Sequence, residues 1–164
     1  MRSSVRRALI LGAAAVVILG ALSGWLGYRS YQAAEDRRFE QMLVQAGRQA
    51  AVNLTTIDYQ RADADVRRIL DSATGEFYND FKARSAPLID VVKKVRSTSV
   101  GTVSAAGLES VDGTEGRVLV AVTVMSATAG SPAEQPRYWR MRLTLTADPA
   151  GSGDAKVSRV DVVS

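Results

Sequence analysis

The chain has 164 residues, with 21 Lys and Arg against 17 Asp and Glu, a formal net charge of +4, and neither His nor Cys. That length suits one folded domain, and 46% apolar with 23% charged residues is too hydrophobic a mixture for wholesale disorder. Without Cys and His, the chain has no disulfide, zinc finger, iron–sulfur cluster or Cys/His or Ser/His nucleophile.

Arg2, Arg6 and Arg7 precede an uncharged run from Ala8 to Tyr28. Outside those three, 18 basic residues face 17 acidic ones, so the surplus belongs to a membrane-targeting signal and leaves no concentrated phosphate-binding face. Nucleic acid is not an expected partner. The run is 21 residues long, and at about 1.5 Å per residue it reaches ~30 Å, the thickness of a hydrocarbon core. It exceeds the apolar stretch of a cleaved secretory signal and ends in Trp25, Tyr28 and Tyr31, a suitable interfacial belt. The expectation is a retained signal anchor. Its flanking charges place a short tail, residues 1–7, in the cytoplasm and the rest outside the plasma (inner) membrane, in a periplasm-like space. Within the span, Gly20 and Gly24 form one small-xxx-small pair and Ser23 and Gly27 another. Small residues four apart share a face and let a second helix approach closely, so these four are the candidate partner-binding residues.

Residues 29–56 read as a juxtamembrane amphipathic helix, with Phe39, Met42, Leu43, Ala46 and Ala50 on its apolar stripe. The domain proper is expected over residues 57–164. Asp58, Asp63 and Asp65 precede Val66–Leu70 as capping and first-turn acids, because the run lacks the glycine and terminal Glu of a calcium loop. Ser72 to Glu76 breaks that helix and caps the next. There Phe77, Tyr78 and Phe81 form a core cluster continued by Leu88, Val91, Val92 and Val95, with Pro87 splitting or kinking the helix.

After Arg96 the period changes to two. Ser97–Leu108 alternates weakly, and Asp112 to Gly116 is a hairpin loop. Val118, Val120, Val122 and Val124 then face one way, opposite Leu119, Ala121, Thr123 and Met125. Beyond a loop from Ala127 to Pro136, Trp139, Met141, Leu143 and Leu145 share a face opposite Arg140, Arg142, Thr144 and Thr146. A turn from Asp148 to Gly153 leads to a last strand, Val157–Val163. Helices followed by four strands on short turns predict an α+β architecture: a transmembrane helix, then a cone of helices packed on a four-stranded antiparallel sheet.

This layout, with the run Leu54-Thr-Thr-Ile-Asp58-Tyr59, Asp63-Ala-Asp65, Ile69-Leu70 and Ala73-Thr74-Gly75-Glu-Phe77, resembles the Mce-associated membrane proteins of actinobacteria. The resemblance implies a single span followed by a nuclear-transport-factor-2-like, or cystatin-like, cone. It also implies an accessory role beside Mce lipid-import complexes, with permease, MCE and ATPase subunits as partners and a fatty acid or sterol as cargo. The domain is similar as well to the extracytoplasmic domain of a type IV secretion assembly factor. The matching motifs are a cap, a turn and core aromatics, and they carry no catalytic signature.

Three functions follow. The first is a non-catalytic accessory subunit that stabilises or positions a lipid-import complex through its membrane helix and domain surface, with no cofactor or metal. The second is a lipid-binding or isomerase-like cone, with Asp58, Tyr59 and Tyr78 as candidates because a buried Asp can serve acid–base chemistry without His. The third is an assembly scaffold of a secretion machine.

Overall fold

The computed structural model describes residues 25, 36–130, 135–147 and 154–163. The chain divides into two compact units, Met1–Phe39 and Glu40–Ser164. In the first unit Trp25 is helical and exposed, and residues 36–39 are helical. The expected span, its Gly20, Ser23, Gly24 and Gly27, and the short tail lie outside the described residues. Among the described residues no helix is long and apolar enough to cross a membrane.

The second unit begins with helix α1, whose residues 40–55 belong to it. It continues through β1 (Ile57–Asp58), α2 (Ala62–Asp71), α3 (Gly75–Val95), β2 (Thr98–Asp112), β3 (Glu115–Ala127), β4 (Arg137–Ala147) and β5 (Ala155–Val162). The sheet is an antiparallel meander in the order β1-β2-β3-β4-β5. It has five strands where four were expected. The additional strand, β1, pairs only Ile57 with Ser99 and Asp58 with Thr98, and two residues are too few to leave an alternation in the sequence.

The period-two reading of β3 and β4 holds. Val118, Val120 and Val122 are fully buried, and Met141, Leu143 and Leu145 back them on the neighbouring strand. Trp139 keeps the parity of that face but stands opposite Val122 near the end of the cover and is exposed. The β2–β3 hairpin turns on Gly113 and Thr114 alone. Gly113 has φ 58°, as the first central residue of a II′ turn requires.

Helix α1 lies on the inner face through glycines. A Cβ on Gly47 would sit 2.9 Å from Val118 Cγ1, and one on Gly116 2.5 Å from Leu43 Cδ1. One on Gly101 would collide with Thr55 Oγ1. The buried stripe of α1 is therefore Leu43, Gly47, Ala50 and Ala51, while Phe39, Met42 and Ala46 are half-buried. A glycine does not count as apolar in periodicity, so the sequence shifted this stripe by a residue.

Two local expectations change. Helix α2 has Arg61 at its N-cap, with no side-chain cap. Asp65 is instead buried in the core: it accepts the Asp58 N–H at 2.9 Å and pairs with Arg68, tying β1 to α2. Asp58 Oδ1 accepts the Gln60 N–H at 2.9 Å, and Asp63 pairs with Lys93 Nζ on α3 at 2.6 Å. None of the three acids caps the helix.

Helix α3 is one continuous helix of 21 residues with Pro87 inside it. Pro87 and Ala83 both lie on the exposed side, so the carbonyl that loses its partner faces water and the helix is not split. Only Val92 of α3 is buried. Phe77, Tyr78 and Phe81 are half-buried, the two Phe rings 5.7 Å apart, and Val91 and Val95 are exposed. The turn between α2 and α3 is pinned to β5, since Thr74 N–H donates to Val157 O at 2.8 Å and Val157 N–H to Ser72 O at 2.9 Å.

Two stability outcomes follow from these contacts. Gly116→Ala should lower unfolding free energy by about 1–3 kcal/mol, because fully buried Leu43 has nowhere to move. Adding Leu43→Val should recover part of that loss in a urea titration. Asp65→Ala should cost about 1–3 kcal/mol by orphaning the Asp58 N–H, and Asp65→Asn, which retains an acceptor, should cost less.

Candidate docking surface

Helix α1 covers the inner face of the sheet over Gly101, Gly116 and Val118, and the charged groups of the strands stand on the opposite face. Alternation sends Glu115 and Arg117 of β3, and Arg142 and Thr144 of β4, to that outer face, and the pairing Arg117↔Thr144 sets them side by side. A bulge in β2 at Glu109 turns its carboxylate the same way. Glu109 reaches across β3 to Arg142, accepting from Nε at 2.7 Å and from Nη2 at 2.8 Å in a two-pronged pair. Arg142 stands opposite Asp161 of β5, and Arg159 Nη2 reaches Glu76 Oε2 in the first turn of α3 at 3.0 Å.

These groups line an open cleft of about 970 Å³ holding Glu76, Glu109, Glu115 and Asp161 against Arg117, Arg142 and Arg159. The interleaved signs suit a protein surface of mixed charge better than a polyanion. Beside it lies a shallower apolar groove of about 510 Å³, floored by Ala105, Gly107, Leu119 and Ala121 and edged by Arg140 and Arg142. A charged cleft joined to an apolar groove is the usual make-up of a protein–protein contact patch.

The Arg142 guanidinium, hydrogen-bonded to Glu109, holds that carboxyl below the ordinary carboxylate range, and Glu109 raises Arg142 in return. The bond from Lys93 does the same for Asp63. Both carboxylates are solvent-facing, so each pair contributes modestly to stability.

The residues expected to serve an enzymatic cone do not come together. Asp58 and Tyr59 lie at the β1 turn, where Gln60 Nε2 donates to the Tyr59 hydroxyl at 3.2 Å and Tyr59 N–H bonds Ser97 O past the C-terminal end of α3. Tyr78 is in the first turn of that helix, with Lys82 Nζ 5.4 Å from its ring centroid. The axial rise separates the two places by roughly 25–30 Å. The outer-face charges were visible in sequence as the polar side of β4. The partner of Arg142 was not, since Glu109 is 33 residues away and arrives through a bulge.

The depressed carboxyls fix the sign of the pH dependence. Their contribution is complete above the unfolded-state values near 4 and is lost as pH falls through the lower folded-state values. Urea midpoints measured from pH 7 down to pH 2 should fall on the acid side, and Glu109→Gln should make that fall shallower while lowering the neutral-pH midpoint only slightly.

The fold has solved relatives. An IcmL-like type IV secretion system protein of Legionella pneumophila superposes with TM-score 0.58 and 18% identity, covering 74% of this chain and 91% of its own. The periplasmic domain of DotI gives 0.59 and 15%, covering 74% and 92%. CagV of Helicobacter pylori, a VirB8 homologue, gives 0.53 and 10%, covering 76% and 98%. At those identities the likeness is one of fold. In sequence, the uncharacterized protein Rv1363c of Mycobacterium tuberculosis is 33% identical over 157 residues, which are 94% of this chain and 59% of that protein. The chain thus spans about three fifths of the length of this curated relative. The family model described as uncharacterized protein Rv1363c/MT1408-like matches residues 6–164, and the chain belongs to that family.

Proposed function

We propose that the chain is a non-catalytic accessory subunit of a multi-protein membrane complex, held by its N-terminal span and acting through the exterior of the Glu40–Ser164 unit. The observation that carries this reading is the close cover of α1 on the inner face of the sheet. Helix α1 approaches so closely that Gly47, Gly101 and Gly116 leave no room for a Cβ, while the outer face presents the charged cleft and apolar groove. A domain of this build contributes contact free energy, and so shifts the assembly or lifetime of the complex it joins.

The complex we favour is an Mce-type lipid importer, with permease and MCE subunits as partners. The sequence resemblance supports that choice, and the span's Gly20, Ser23, Gly24 and Gly27 supply a packing face for it. The second reading is an assembly scaffold of a secretion machine, supported by the likeness of fold to secretion-system periplasmic domains. Both readings use the same surface and differ in partner.

Affinity purification of the tagged full-length protein in mild detergent, followed by mass spectrometry, separates them. Recovery of permease and MCE subunits is expected, with several-fold less in the charge-reversed Arg117→Glu/Arg142→Glu variant. Secretion ATPase and pilus components in their place would transfer the assignment to the scaffold. Protein recovered alone, or with co-purified lipid only, would overturn both. Deletion of the chain should lower complex abundance and leave intrinsic ATPase turnover unchanged, and Asp58→Asn should leave lipid uptake at the wild-type rate.

A further inference from the structure

The two edges of the sheet are finished differently. The β5 edge is tied to the α2–α3 turn by the Ala73↔Val157 bridge and to α3 by the Arg159–Glu76 pair. On the β2 side, β1 covers Thr98 and Ser99, and Thr56 Oγ1 accepts the Gly101 N–H at 3.1 Å. From Thr102 to Asp112, among the described residues, no strand pairs with that edge. An unpaired edge of this length is a template for another strand, and proteins block it with charges, above all Lys, with Pro, or with bulges that bend the edge. Residues 102–112 contain no Lys or Pro; they carry Glu109, Asp112 and two bulges, which only a strand bent at matching places can follow.

We propose that the open edge of β2 is a self-association surface: two copies of the chain pair their β2 strands antiparallel about a two-fold axis at Gly107. A two-fold between antiparallel strands sets one residue opposite itself, and the residues equally distant on either side opposite each other. Gly107 is the midpoint of the open window 102–112, so this axis pairs the whole window and stops where β1 begins its cover. About this midpoint two of the five pairs are identical, Val with Val and Ser with Ser. Val103 falls opposite the partner's Val111, Ser104 opposite the partner's Ser110, and Ala106 opposite the partner's Leu108. Thr102 meets the partner's Asp112, a hydroxyl against a carboxylate. Val meets Val, Ser meets Ser and Ala meets Leu, and each Glu109 lies against the partner's Ala105, away from the other Glu109.

Faces match as well as residues. Val103 and Val111 both stand on the inner side, paired through β3 with Val122 and Gly116. The bulges at Ser104 and Glu109 lie three and two residues from the axis, so the bends of the two copies meet within one residue. Gly107 itself has a φ open to other residues and nothing within 4 Å of where a Cβ would stand, so its own chain does not call for glycine there. The identical Val and Ser pairs and the bulges that meet within one residue favour a second copy as the occupant, and the pairing is independent of which complex the subunit joins.

The absence of Cys makes the test direct. Single-Cys variants of the full-length protein at residues 102–112 would be oxidised in detergent and dimer formation followed on non-reducing gels. The expected result is cross-linking that peaks at Gly107→Cys and is absent at Thr102→Cys and Asp112→Cys, which the axis holds some ten residues apart. An equimolar mixture of Ala106→Cys and Leu108→Cys should cross-link as a heterodimer. Native mass spectrometry of the wild-type chain should show a dimer whose urea midpoint rises with protein concentration, and Ser104→Lys should return it to monomer with a midpoint independent of concentration. A wild-type monomer, a flat cross-linking profile or a peak away from Gly107 would overturn the proposal. So would cross-linking to a different protein.

Discussion

The close approach of α1 to the sheet is the constraint from which the other features descend. Leu43 over Gly116, Gly47 over Val118 and Thr55 over Gly101 fix the helix along β2 and β3 with no layer of larger side chains between them. Burying Leu43, Val118, Val120, Val122, Leu143 and Leu145 there contributes roughly 1.5–3 kcal/mol for each large side chain. That contact covers the inner face from Gly101 to Gly116 and Val118, and leaves Trp139 exposed at its end.

Polar groups in the core serve this geometry. Asp65 is buried because it holds the two-residue β1 against α2 by accepting the Asp58 N–H, with Arg68 balancing its charge. Without that tie the shortest strand of the sheet would have little to keep it in place, since its own pairing reaches only Thr98 and Ser99. The brevity of β1 has a consequence at a distance: most of β2 is left as a free edge, whose Val and Ser positions on either side of Gly107 can meet their counterparts in a second copy. The opposite edge is tied at Val157 to Ser72 and Thr74.

On the outer face the same economy of contacts appears in charged form. Arg142 is held by Glu109 from one side and stands opposite Asp161 on the other, so the cleft is set before any partner arrives. Ordered charges lose less side-chain entropy on association than free ones, which favours recognition through this patch. The apolar groove beside it runs to the open edge of β2, so partner docking and self-pairing use adjoining parts of one surface.

The sequence by itself determined the class of fold, the helices-then-strands order, the inward faces of β3 and β4, the hairpin at Gly113 and the absence of Cys and His chemistry. Each of these is local: alternation, turn residues and composition act within a few positions of the chain. The tertiary structure alone decided the fifth strand, because β1 exists only where β2 passes. It moved the α1 stripe onto Gly47, and it left Phe77, Tyr78 and Phe81 half-covered because α3 buries only Val92. It also set Glu109 on Arg142 across 33 residues. Asp58, Asp63 and Asp65 illustrate the division most clearly. Their pattern before an apolar run is a correct statement of helix-start chemistry, but their partners, Gln60, Lys93 and the Asp58 N–H, are chosen by which chain segments lie alongside, and spacing along one chain does not encode that choice.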